Sequence, residues 1–127
     1  MNMKIIVLVL VLLVSVAWAD EMPKSSPAFA VVTEVFIKSG AIKAGCGKLD
    51  QKNVESLCGY AEMSGSLVRQ YVDLVLRNET AVSSWEADPD PETRTFYKSF
   101  SVAGNQLDIV LFDASEFFTT LQFYYYR

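Results

Sequence analysis

Three runs of alternating residues fill the last third of the chain, and they constrain the fold more than any other feature. Between Arg94 and Val102, Phe96, Lys98, Phe100 and Val102 fall on one side, with Thr95, Tyr97, Ser99 and Ser101 on the other. A period of two marks an extended strand with its faces in different surroundings. Ala103-Gly104-Asn105 is a turn signal, Gln106 to Phe112 makes a second strand, and Asp113-Ala114-Ser115 turns again. Glu116 to Tyr126 is the third strand. There Phe117, Thr119, Leu121, Phe123 and Tyr125 alternate with Phe118, Thr120, Gln122, Tyr124 and Tyr126. Strands joined by tight turns pair antiparallel, so residues 94–126 are expected to form a β-meander.

A sheet with an apolar face needs a cover. Val54, Leu57, Cys58, Ala61, Val68, Tyr71, Val72 and Val75 recur at steps of three and four, which predicts one main helix over about 51–77. Asp50 is positioned to cap it, and Gly59 and Gly65 weaken its middle, with a bend expected at Ser64-Gly65-Ser66. The expected fold is therefore α+β, one helix packed on an antiparallel meander. Residues 27–39 read two ways. Ser26-Pro27 and Gly40 bracket a helix, but Phe29 to Ile37 is rich enough in β-branched and aromatic residues to form a strand. Gly40 to Gly47 reads as a loop. Residues 86–93 read as a solvated acidic linker containing Pro89 and Pro91. Asp88, Asp90 and Glu92 alternate as in a calcium loop, but Thr93 stands where such a loop requires glycine, so no metal is expected.

The first 19 residues have the form of a cleaved secretory signal: Lys4, an apolar run from Ile5 to Val16, and Ala17-Trp18-Ala19 before the cut. The remainder, 20–127, is the size of one small secreted domain, with no membrane association expected after cleavage. Cys46 and Cys58 are then expected to close a disulfide from the loop to the helix. Asn78-Glu79-Thr80 is a sequon, making Asn78 the expected N-glycosylation site. Without Lys4, ten basic residues face fifteen acidic ones, which argues against nucleic acid as a partner. There is no histidine, which removes the usual catalytic dyads and most zinc sites. Neither an enzyme nor a cofactor is expected.

The stretch Tyr97-Lys98-Ser99-Phe100-Ser101-Val102-Ala103-Gly104 resembles the central hairpin of the cystatin superfamily, where a Gln-x-Val-x-Gly loop joins two strands wrapped on a helix. Val102-Ala103-Gly104 matches the second half of that loop. Tyr97-Lys98-Ser99 matches its approach in stefin-like members, and Phe117 to Phe123 resembles the next strand. The resemblance covers residues 94–126 and the preceding helix. It implies a cystatin-like fold and inhibition of papain-like cysteine proteases through Phe100, Ser101, Val102, Ala103 and Gly104. Phe100 stands where the family has Gln, the family's N-terminal glycine has only Gly40, Gly45 or Gly47 as counterparts, and the sequence ends at Arg127 before a second inhibitory hairpin. Weak inhibition is what such a match implies.

The alternative is a non-inhibitory secreted binding module, for an extracellular protein or a small apolar ligand. Ten of the 32 residues from Phe96 onward are Phe or Tyr, and Tyr124-Tyr125-Tyr126 must populate both faces of its strand.

Overall fold

The computed structural model describes residues 21–47 and 53–127. The expected signal, its cleavage point and the Asp50 cap lie outside those residues. The described chain is α+β: helix α1 (Phe29–Ser39), β1 (Ile42–Ala44), β2 (Val54–Ala61), helix α2 (Gly65–Val75), β3 (Thr80–Ala81), β4 (Glu86–Ala87), a 3-10 turn (Pro91–Thr93), β5 (Thr95–Val102), β6 (Asn105–Ser115) and β7 (Phe118–Tyr126). The strands form one antiparallel sheet in the order β1-β2-β7-β6-β5-β3, with β4 also on the β5 edge.

The ambiguous segment is a helix. Val32, Val35, Phe36 and Ser39 form a buried stripe at helical spacing, and tertiary burial of that stripe outweighs the β propensity of the residues. Ser26 Oγ accepts from the Ala28 N–H at 3.3 Å near its start. Gly40 ends it at φ +63°, a left-handed conformation suited to glycine.

The single helix over 51–77 is corrected. Val54–Ala61 is a strand and only Gly65–Val75 is helical. β2 is an inner strand, paired to β7 over eight residues and to β1 on its other side. Both its faces are buried, so no period of two appears, and Val54, Leu57, Cys58 and Ala61 fall at helical steps without a helix. The expected bend at Ser64 is instead the start of α2, where Ser64 Oγ accepts from the Leu67 N–H.

The meander matches its expected faces. Phe100 pairs with Leu107, Lys98 with Ile109 and Phe96 with Leu111, and these residues share the side turned to the helices. Leu107, Ile109, Leu111, Leu121 and Phe123 have no exposed surface, and Val32, Val35, Val68 and Val72 pack over them. At 20–33 cal/mol per Å² of buried apolar area, this layer dominates the favourable energy. The second turn is displaced: β6 runs on to Ser115 with an irregularity at Asp113, and the reversal falls at Glu116-Phe117. Phe117, expected alongside Leu121 and Phe123, is therefore in the turn and 74% exposed.

Cys46 and Cys58 form the described disulfide, joining the loop after β1 to strand β2 rather than to a helix. A polar cluster secures α2 and the chain beyond it to β5. Lys98 Nζ lies 2.7 Å from Asp73 Oδ1, and Trp85 Nε1–H donates to Asp73 Oδ2 at 3.0 Å. One helix turn earlier, Arg69 stacks 3.8 Å above the Phe96 ring and pairs with Asp113 at 3.5 Å.

Candidate functional site

Both helices lie on one face of the sheet. The opposite face is built from the other half of the same alternation. β7 contributes Phe118, Thr120, Gln122, Tyr124 and Tyr126, β6 contributes Asp108, Val110 and Phe112, and β5 contributes Thr95, Tyr97, Ser99 and Ser101. β2 adds only Tyr60 to it, its other outward residues being buried. No helix among the described residues crosses it. Tyr97, Phe112 and Tyr126 are 38%, 40% and 37% exposed, which is high for rings on paired strands.

Register brings the polar groups together. Asp108 stands directly between Tyr124 on β7 and Ser99 on β5. Its Oδ1 accepts from Ser99 Oγ and Gln106 Nε2, both at 2.6 Å. The Tyr126 hydroxyl lies near this carboxylate. Partial burial pushes the Tyr126 hydroxyl above its usual pKa, and the nearby Asp108 carboxylate adds to the rise. Burial alone raises Tyr124, whose hydroxyl donates to Gln122 Oε1 at 3.2 Å. At the β5 edge the Tyr97 hydroxyl donates to Asp88 Oδ2 at 3.0 Å, and this bond is the main cause of its raised pKa. Glu86 shares that face as the register partner of Tyr97.

At the other end Tyr60 and Phe118 stack with centroids 5.3 Å apart. They border a shallow depression of about 230 Å³ with Thr120, Gln122 and Cys58. The outward positions of β2, β5, β6 and β7 include no lysine or arginine. The face thus offers aromatic rings, hydroxyls and carboxylates, a chemistry of recognition.

The five residues expected to meet a protease are divided by the fold. Phe100, Ser101 and Val102 stay within β5, paired to Leu107, Gln106 and Asn105. Phe100 and Val102 face the core at 3% exposure each. Only Ala103 and Gly104 form the exposed turn, at φ +51° and +85°, the two-residue geometry that matches strand twist. Tyr125, in the middle of the tyrosine triplet, is buried and donates to the Val102 carbonyl at 2.7 Å. Asn78 is exposed in the turn after α2.

In the acidic segment 86–93, Asp88 Oδ1 accepts from the Asp90 N–H and Asp90 Oδ1 from the Glu92 N–H, each at 3.0 Å. Those bonds shape local turns, and β4 fixes the start of the segment to β5. Among the described residues no group of three metal-ligating side chains converges. No helix among them is long and apolar enough to cross a membrane.

Sequence reasoning singled out the terminal tyrosines but not Tyr60, Tyr97, Asp108 and Phe112 as one surface. The available signal was the outward half of each alternating run, which is aromatic, acidic and free of cations. Comparison with family models, curated proteins and solved structures returned no match for this chain.

Proposed function

We propose that the chain is a secreted, non-inhibitory binding module that engages an extracellular protein through the open face of its sheet. One observation carries the reading: Tyr97, Phe112, Tyr124 and Tyr126 share the face away from both helices with Asp108, and Tyr60 lies at its other end. Paired strands hold these rings in place, so a partner meets a preorganised surface and little side-chain entropy is lost on docking. Tyrosine suits such a surface because it combines apolar area with a polar tip. The signal-like leader, the Cys46–Cys58 disulfide and the exposed Asn78 sequon support an extracellular setting. The small-ligand alternative has less support, since the helix–sheet interface is filled by side chains with no exposed surface.

The cystatin-like reading rests on the order of helix and meander and on Val102-Ala103-Gly104 at the hairpin. Its weakness is physical, because an inhibitory wedge must insert apolar side chains into a cleft. Here Phe100 and Val102 are committed to the core, leaving two small residues to project.

Papain activity measured with the folded, secreted chain separates the two readings. The binding-module reading expects papain to remain fully active at high micromolar protein. Inhibition abolished by Gly104→Arg, in a variant that stays folded, overturns it in favour of the cystatin-like reading.

A further inference from the structure

We propose that the occupant of the open face is an extended polypeptide segment carrying arginine or lysine at alternate positions, an inference that rests on the binding-module reading above. Three observations converge on it.

The first is charge. Asp108, Asp88 and Glu86 share the face or its β5 edge, and no outward position of β2, β5, β6 or β7 is cationic. The two donors that reach Asp108, Ser99 Oγ and Gln106 Nε2, are both uncharged. Covering Asp108 with an apolar partner desolvates a carboxylate without a counter-charge, which is costly. A second copy of this chain laid face to face brings like charges together. A cationic segment avoids both penalties.

The second is the pairing of ring and carboxylate. Tyr124 and Asp108 are direct cross-strand partners, a separation of about 5 Å between β-carbons. A guanidinium placed there stacks on the ring while it hydrogen-bonds the carboxylate. Tyr97 with Asp88 repeats the combination at the β5 edge, at a hydrogen-bonded 3.0 Å. The third is spacing. Tyr124 and Tyr126 are two residues apart on one strand, about 7 Å. That is also the interval between alternate side chains of an extended segment.

The test uses the folded, secreted chain and three pentapeptides that alternate threonine with arginine, glutamate or leucine. Binding is followed by amide chemical-shift perturbation and by calorimetry. The arginine peptide is expected to bind, with shifts at Tyr97, Asp108, Tyr124 and Tyr126, and the glutamate peptide is not. Asp108→Asn and Tyr124→Leu are each expected to weaken arginine-peptide binding by about fivefold or more. Glu34→Gln removes the same charge from the exposed side of α1 and is expected to change the affinity by less than about twofold.

An equal loss from Glu34→Gln and Asp108→Asn means attraction to overall negative charge, and overturns the proposal. Binding of the leucine peptide to the same face, as tightly as the arginine peptide, also overturns it while leaving the binding-face reading intact. If none of the three peptides perturbs the face, the cationic-segment proposal fails, and crosslinking from Phe112 to a partner protein decides the binding-face reading separately.

Discussion

The ring of Phe36 lies directly over Gly59, so close that a β-carbon on Gly59 would fall 2.6 Å from the ring's Cε2 and overlap the backbone oxygen of Ile42. This contact joins α1, β1 and β2, and it requires glycine for space rather than for an unusual φ. Gly59→Ala is expected to destabilise the fold by about 2–3 kcal/mol, because relief means moving either a packed helix or a paired strand. Gly45→Ala, where a β-carbon meets nothing within 4 Å, is the control and should be nearly neutral. Urea unfolding of the two variants measures both effects. Equal midpoints would contradict the packing described.

The disulfide closes a loop with a sequence separation of 12, for which the chain-entropy model gives about 3 kcal/mol. Replacing Cys46 and Cys58 together by serine should lower stability by roughly that amount in the same unfolding measurement. Thiol labelling of the denatured, unreduced protein should detect no free cysteine, and two labelled thiols per chain would contradict the bond.

Lys98 occupies a helix-facing position of β5, and Asp73 satisfies it while also accepting from Trp85. Asp73→Ala is expected to cost about 1–2 kcal/mol, since it leaves a largely buried ammonium and an indole N–H without their acceptor. Trp85 fluorescence should change with it. Combining Asp73→Leu with Lys98→Met should recover much of the loss, and a double variant as unstable as the sum of the single ones would contradict the coupling.

The hydroxyls of Tyr97, Tyr124 and Tyr126 are all raised from the ordinary value of about 10. A raised pKa means the folded state holds its proton more tightly than the unfolded chain does. The stability this contributes is fully present below pH 10 and is lost as pH rises through the folded values. Ultraviolet titration should show tyrosines ionising late, with Asp88→Asn returning Tyr97 toward normal. Early ionisation of every exposed tyrosine would contradict the hydrogen bonds assigned.

The meander was legible because one side of each strand packs on the core and the other is open, which writes a period of two directly into residues such as Phe100 and Ser101. β2 was hidden for the opposite reason. Burial on both faces erased its alternation, and Gly59, which read as a weak point in a helix, marks the close approach of Phe36 in a strand. The β5–β6 hairpin was recognisable from Ala103-Gly104, but its projection was not, since sequence alone does not reveal that Phe100 and Val102 pair with β6 and point inward. The open face needs register: only the alignment of Asp108 with Tyr124 and Ser99 shows that distant residues form one surface.

Site-specific photocrosslinking tests the central claim most directly. A benzophenone side chain replaces Phe112 on the open face, Glu34 on α1, or Gly104 at the hairpin turn, and the folded protein is irradiated in conditioned medium of cells that express it. The account predicts a discrete protein adduct from position 112, diminished when Tyr124→Leu or Asp108→Asn is added, and none from position 34. Adducts arising at position 104 but not at 112 would contradict it.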